Sequence, residues 1–350
     1  LMTKLEKTKY RVGLTGTLDG SKTHKLVLEG LFGAVNKVVS TSELIEREQL
    51  AELKIMCLIL QHDQTARHFL KNGNFSFIIL ASPAVRACLD SCDRSENIIE
   101  IDAIGLKGLL NWWRFRSIEK QVEPDAVFTI FGPTHWQPRV PHLVGFAWPH
   151  LVFQESPYFA KLNAVEHFVI RTKIEIKKYQ FKKTATSFVT ESQEVSRRLS
   201  HVLDLPEGRV ATVSNCLPAS FHLYSGDQRV DRNVRERTKV LMVSAYYPHK
   251  NFEFIPRLIA ALASKKEEGI DIVTTLPTTA YRDLNIEKSS RWLNIGPVEL
   301  SALPSIYEDA DCVLHTSLLE CFSVSYLEAM FMYKPIVVPD LPFARDVCEE

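Results

Sequence analysis

The sequence predicts an α/β chain built from two doubly wound parallel sheets, and three observations carry that prediction. Short apolar runs rich in β-branched residues recur between amphipathic stretches from residue 11 to residue 340. They are nearly continuous rather than alternating, the pattern of strands covered on both faces by helices. A charged segment almost free of large apolar residues, SGDQRVDRNVRERTK (225–239), divides the series. At 350 residues the chain also exceeds what one hydrophobic core usually serves. The expected domains are therefore residues 1–224, a linker over 225–238, and residues 239–350.

Along the first half the expected strands are RVGLTGT (11–17), IMCLIL (55–60), SFIIL (76–80), DAVFTIF (125–131), HLVGFAW (142–148), SFVTES (187–192) and RVATVS (209–214). Helical patterns lie between many of them, at 21–36, 104–122 and 157–180. The second half repeats the alternation with KVLMVSA (239–245), IDIVTTL (270–276), WLNIGPV (292–298), CVLHTS (312–317) and PIVVPD (335–340). Two such sheets facing each other across a cleft would bind ligands beyond the carboxyl ends of their strands. The residues just after each strand are therefore the ones to read for chemistry.

Composition narrows the function classes. Hydrophobic residues make up 45% and charged residues 24%, as in an ordinary globular protein. The 42 basic and 42 acidic residues cancel, so no global field favours nucleic acid, and an anionic ligand must be held by local groups. Seven cysteines, Cys57, Cys88, Cys92, Cys216, Cys312, Cys321 and Cys348, contain no CxxC pair and mostly sit beside apolar runs. They read as buried free thiols in a reducing compartment. Cys88 and Cys92 share a helical face, but no Cys/His set completes a zinc site. No apolar run reaches spanning length and no signal peptide is visible, so the cytoplasmic side is the expected location. KIEIKKYQFKK (173–183) sets five lysines among Ile174, Ile176, Tyr179 and Phe181. It reads either as a solvated helix face, the favoured reading, or as a peripheral contact with anionic lipid at the inner face of the membrane.

The most informative stretch is SLLECFSVSYLEAM (317–330). CVLHTS reads as a buried strand, and a helix is expected to begin near Ser323. The first turn, Ser323, Val324 and Ser325, offers backbone N–H groups and the positive end of the helix dipole, a ready phosphate site. Glu328 stands five residues further, roughly 7.5 Å along the axis, where its carboxylate can accept from the vicinal hydroxyls of a ribose. Glu320 precedes the helix, on the other side of the phosphates, where it can accept from sugar hydroxyls. Read by spacing alone, two glutamates eight apart are more often chance than site.

SLLECFSVSYLEAMFMYKPIVVPD (317–340) resembles the glutamate-x7-glutamate signature of retaining glycosyltransferases of family 4, the glycosyl transferases group 1, which have the GT-B fold of two Rossmann-like domains. NIGPVELSALPSIYEDADCVLHTSLLE (294–320), LMVSAYYPHKNFEFIPRLIAAL (241–262), SFVTESQEVSRRL (187–199) and VSNCLPASF (213–221) resemble further motifs of that family in the same order. The resemblance is good over 187–350 and weak over 1–186. It implies that Glu328 binds the ribose, Glu320 the transferred sugar, and Lys250 the pyrophosphate, whose departing charge a cation stabilises. Gly296 and His249 join the nucleotide-sugar side, and the acceptor lies on the first domain. It implies front-face transfer with no covalent intermediate, no cofactor, and further helices after residue 350.

Three positions depart from the family pattern. Its arginine five residues before the lysine is Ala245 here, and His249, if protonated, is placed to share that load. Its first-domain strand-end histidine is replaced by Ala147 and Trp148, with His150 two further on and reading as packing. Its paired N-terminal glycines are Gly16 and Gly20, set apart; Gly16 stays a candidate on the acceptor side. FGPTHWQP (131–138) adds His135 and Trp136 as candidate sugar contacts, His135 reading equally well as a loop histidine. Asp309 and Asp311 form a DxD, but at the junction of a helix and a buried strand, so no metal is expected. No nicotinamide-binding glycine fingerprint and no Ser/His/Asp spacing occurs. The expected activity is metal-independent transfer of a sugar from a nucleotide-diphosphate sugar to a hydroxyl of a glycan, lipid-linked or polysaccharide precursor. The alternatives are a GT-B scaffold that has lost transfer and a nucleotide-sugar epimerase.

Overall fold

The computed structural model describes residues 54–59, 76–89, 98–101, 110–224, 237–284 and 289–348. Apart from Ser76, these all lie in one compact unit of the chain. The expected strand 11–17, helix 21–36, Gly16 and most of the linker lie outside the described residues.

Among the described residues the first sheet holds β1 (Lys54–Ile59), β2 (Ser76–Ala81), β3 (Ile98–Glu100), β4 (Ala126–Thr129), β5 (His142–Gly145), β6 (Ser187–Thr190) and β7 (Val210–Thr212). The second holds β8 (Thr238–Met242), β9 (Ile270–Thr274), β10 (Trp292–Asn294), β11 (Cys312–Leu314) and β12 (Ile336–Val337). The orders are β3-β2-β1-β4-β5-β6-β7 and β10-β9-β8-β11-β12. Every pairing is parallel. Both sheets are doubly wound, with the order reversing between β1 and β4 and between β8 and β11. The expectation of two α/β sheets therefore holds. β3 was missed because three residues, IIE, are too short to show a period. Most strands also end earlier than their apolar runs, β5 at Gly145 rather than 148, because the ladder stops before the apolar residues do.

The helices are α1 (Pro83–Leu89), α2 (Trp112–Val122), α3 (Pro149–Val152), α4 (Ala164–Thr184), α5 (Gln193–Leu203), α6 (Ala219–His222), α7 (Phe254–Ser264), α8 (Thr278–Asp283), α9 (Leu303–Asp309), α10 (Val324–Phe331) and α11 (Pro342–Cys348). Their ends have local causes. The α4 start is a capping box, in which Asn163 accepts from Glu166 N–H and Glu166 reaches back to Asn163 N–H. This places the helix at 164–184 rather than at the expected 157–180. Ser192 caps α5 through the Val195 N–H. Gly145 is required by close approach, since a Cβ there would lie 1.7 Å from Ile130 O.

One apolar cluster joins the two sheets. Val144, Phe146, Phe153, Phe181, Phe188 and Leu199 of the first pack with Leu319, Cys321, Tyr326 and Phe343 of the second. Phe153 meets Phe343 edge-on at 5.9 Å. Polar contacts reinforce this seam. Ser156 Oγ donates to Leu318 O at 2.5 Å, and Glu194 N–H donates to Asp346 at 3.1 Å. Ser156 lies beyond the carboxyl end of β5 and Leu318 beyond that of β11, so the carboxyl ends of the two sheets meet. Of the cysteines, Cys57 and Cys321 are buried, Cys312 and Cys348 half-buried, and Cys216 exposed, contrary to its expected burial.

Candidate functional site

The reversal between β8 and β11 brings together two loops that are far apart in sequence. After β8 the chain runs to a 3-10 turn, Pro248–Lys250, ended by Asn251 with φ of 58°. After β11 it runs through His315–Ser323 into α10. Thr316 Oγ1 donates to Lys250 O at 2.6 Å, and Leu318 N–H donates to His249 O at 2.8 Å. These bonds satisfy the turn's carbonyls and aim its side chains at the second loop. The Lys250 ammonium donates to Glu320 Oε1, and Ser317 Oγ donates to the same oxygen at 2.7 Å. Glu320 and Lys250 are largely buried, at 12% and 16% side-chain exposure, so each needs the other.

Ser323 precedes α10 in extended conformation, and its hydroxyl makes no helix cap. It lies instead 2.8 Å from Ser325 Oγ and 3.1 Å from His315 Nε2, whose Nδ1 is 3.2 Å from Tyr326 OH. Burial pushes His315 down to about 4. The neutral ring has one donor and one acceptor nitrogen, and takes one hydroxyl partner on each. The first-turn N–H groups of Val324 and Ser325 therefore keep no side-chain cap of their own. Glu328 lies buried on the same helix, and Tyr307 OH donates to its Oε2 at 2.6 Å. Burial raises the Glu328 carboxyl above its ordinary range, and the Tyr307 bond acts in the opposite direction.

Across the seam, Glu191 follows β6 and accepts from Asn215 Nδ2. Burial raises its carboxyl; the Asn215 bond lowers it and the nearby Glu320 charge raises it. His150, beyond β5, faces His249 edge-on with 6.5 Å between ring centres. His150 Nδ1 is buried without a hydrogen-bond partner. Burial drives both histidines down to about 4, helped by each other's surroundings: His249, Lys177 and Lys173 around His150, and Lys250 beside His249.

The structure thus gathers Glu320, Lys250, Glu328, Ser323, Val324, Ser325 and His249 around one helix start. Two expectations are corrected. His249 does not carry the missing arginine's charge, because burial beside Lys250 keeps it neutral; its ring stacks on Tyr247 at 5.5 Å. Trp136 is not a sugar platform: it is 3% exposed, stacks on Phe115 at 4.7 Å and donates to Glu119. His135 is half-buried, its Nδ1 3.2 Å from Gln180 Nε2 of α4. Gly296, beyond β10, has φ of 84° with open space at its missing Cβ, a conformation and clearance suited to a ligand passing its backbone. Asp311 accepts from Lys239 N–H at 2.8 Å and Asp309 pairs with the Lys239 ammonium at 2.8 Å, so the DxD ties a helix end to β8. Among the described residues no group of three or more His, Cys, Asp and Glu side chains could hold a metal ion.

His315, Ser317, Tyr307 and Glu191 were not singled out by sequence. Glu191 and His315 directly follow β6 and β11 and Ser317 lies three residues past β11, but the expected strands 187–192 and 312–317 run on through all three, which hides them from a search of strand ends.

Residues 237–350 match the family model of the glycosyl transferases group 1. No curated protein matches the chain in sequence. Among solved structures, the chain is similar to Anabaena Alr3699/HepE in complex with UDP and glucose, at 15% identity and a TM-score of 0.54, covering 85% of this chain and 84% of that one. It is similar to a glycosyltransferase of Rickettsia africae at 14% identity and a TM-score of 0.55, covering 86% and 83%. It is also similar to sucrose-phosphate synthase of Thermosynechococcus elongatus at 13% identity and a TM-score of 0.57, covering 84% and 83%. At these identities the likeness establishes the fold, which is that of the GT-B glycosyltransferases. The matched group 1 segment holds Lys250, Glu320, Ser323 and Glu328.

Proposed function

We propose that the protein is a retaining glycosyltransferase that moves a sugar from a nucleotide-diphosphate sugar to a hydroxyl acceptor on the cytoplasmic side, without a metal ion. The observation that carries this reading is the convergence of Lys250, Glu320 and the α10 start, with Glu328 behind it, at the strand-order reversal of the second sheet. The pyrophosphate binds the first-turn N–H groups of α10 and the Lys250 ammonium. Glu328, held from behind by Tyr307, accepts from the ribose hydroxyls. Glu320 accepts from hydroxyls of the transferred sugar. As the glycosidic bond breaks, charge gathers on the leaving phosphate, and Lys250 and the helix dipole stabilise it where it develops. The acceptor hydroxyl approaches from the first sheet, on the side where Glu191 and His150 stand, and the leaving phosphate takes its proton. Uridine diphosphate is the first nucleotide to try, since the similar Anabaena protein was solved with UDP and glucose.

The test is hydrolysis and transfer of radiolabelled UDP, GDP and ADP sugars by the purified chain, with product configuration read by NMR. Release of the nucleoside diphosphate with retention at the anomeric carbon supports the proposal. Inversion overturns the retaining assignment. Binding of nucleotide sugars without turnover supports the scaffold reading, which Ala245, standing where the family has arginine, favours.

A further inference from the structure

Among the described residues, two helices of the first sheet carry exposed apolar side chains on their outer faces. On α4, Ile174 and Phe181 are buried and Ile170 is half-buried, forming the stripe that faces the core. On the opposite side Val165, Phe168, Val169, Ile176 and Tyr179 fall on one face at three-, four- and seven-residue spacing, and all are exposed, Val165 and Phe168 by 73% and 72%. A helix with one core-facing stripe needs no second one. Five cations, Arg171, Lys173, Lys178, Lys182 and Lys183, stand on this helix away from the core against two carboxylates, Glu166 and Glu175, in a chain whose net charge is zero, while Lys177 turns inward with its ammonium 4.6 Å from the Trp148 ring. On α2, Trp112 and Trp113 are exposed together with Leu110 just before it, and the Arg116 guanidinium lies 5.5 Å from the Trp112 ring.

The topology puts these surfaces side by side. The β3→β4 and β5→β6 connections step the same way along the sheet, so right-handed crossovers lay α2 and α4 on the same face. The loop after β4 bridges them, with Trp136 stacked on Phe115 of α2 and His135 beside Gln180 of α4. Both helices run back against the strands, so Trp112, Trp113, Val165 and Phe168, near their starts, all stand at the carboxyl edge of the sheet.

We infer that the outer faces of α2 and α4 form one docking surface for an anionic lipid bilayer. Apolar and indole side chains enter the headgroup region while the lysines and arginines meet lipid phosphates. The mixture of apolar stripe, paired tryptophans and surplus positive charge matches that partner; a protein partner would not require the charge excess. The surface is broader than residues 173–183, half of whose apolar side chains face the core. This inference does not depend on the transfer reaction.

The experiment is co-sedimentation of the whole chain with phosphatidylcholine vesicles and with vesicles that also contain phosphatidylglycerol. Binding to the anionic vesicles should exceed that to neutral ones by about tenfold or more and weaken as salt rises above about 0.1 M. Val165→Asp with Phe168→Asp, and separately Trp113→Asp, should each lower it several-fold with unchanged circular dichroism, while Leu223→Asp, an exposed apolar position elsewhere, should not. Equal binding to both vesicle types, or binding indifferent to all three changes, overturns the inference. So does a chain that light scattering finds as a dimer and that Phe168→Asp turns into a monomer, which would make this face a contact between two copies.

Discussion

Lys250 and Glu320 are seventy residues apart in sequence, yet the ammonium of one donates directly to the carboxylate of the other. The pair makes their proposed roles separable. Glu320→Gln removes a countercharge from Lys250 while leaving the ammonium and the α10 start in place. Nucleoside diphosphate affinity should stay level or tighten, while sugar transfer falls about a hundredfold or more. Lys250→Met should cost transfer on the order of 3–4 kcal/mol, as for one preorganised electrostatic donor, and should also lower stability by leaving a buried carboxylate unpaired. Calorimetry with the nucleoside diphosphate, alongside transfer rates, measures both. Equal losses of nucleotide affinity in the two variants would show that the ends of the site are misassigned.

The Tyr307–Glu328 bond predicts a pH effect. Burial raises the Glu328 carboxyl and the Tyr307 bond lowers it. Glu328→Ala should weaken nucleoside diphosphate binding by about 1–3 kcal/mol through lost charge-assisted bonds. Tyr307→Phe removes only the opposing influence, so Glu328 should bind its proton at higher pH. The acid limb of nucleotide affinity then moves upward in pH. An unmoved limb in Tyr307→Phe, titrated by fluorescence or calorimetry from neutral to acid pH, would place the recognising carboxylate elsewhere.

The proposed charge neutralisation by Lys250 and α10 implies indifference to chelators. Turnover should survive EDTA. Asp309→Asn should cost little, because its partner Lys239 is partly exposed, at 38% of the side chain. Asp311→Asn should cost about 1 kcal/mol of stability by weakening the bond from Lys239 N–H. Loss of activity in EDTA with recovery in Mn²⁺, together with an unimpaired Lys250→Met, would transfer that task to an ion.

Three neutral histidines couple folding to pH. His150, His249 and His315 are driven by burial to about 4, below their ordinary value near 6.5. The unfolded chain takes up protons below about pH 6.5 that the folded chain refuses. Their contribution is complete above that value and is lost as pH falls towards 4. Glu191 and Glu328, raised by burial, act in the opposite sense, so the difference between variants is the clean measure. His315→Asn should flatten the pH dependence of urea unfolding between about 6.5 and 4 by up to ~1.4 kcal/mol per pH unit. A slope identical to the parent's would mean that His315 titrates normally in the folded chain.

Much of this architecture was legible because its causes are local. Apolar runs such as IDIVTTL and CVLHTS mark strands wherever they fall, and Ser323 marks a helix start by its neighbours alone. The family resemblance singled out Glu320 and Glu328, while helix spacing set only the distance of Glu328 from the helix start, since five residues of helix fix it by themselves. Local signals failed where burial was the question. Trp136 follows a strand end, as a sugar contact would, but its large ring is worth more stacked on Phe115 in the core. His249 stands in a turn, as a charged residue would, but the seam between the sheets dehydrates it.

By itself, then, the sequence determined two alternating β/α series, the helix start at Ser323 and the carboxylates on either side of it. Tertiary structure alone decided that Lys250 reaches Glu320, that His315 sits beneath Ser323, and that Glu191 faces the same site from the other sheet. The reason is strand order. Periodicity and caps act over a few residues, whereas the β10-β9-β8-β11-β12 order sets β8 beside β11 across seventy residues of intervening chain. No local pattern encodes that adjacency; it follows from the single packing that buries both faces of the sheet at once.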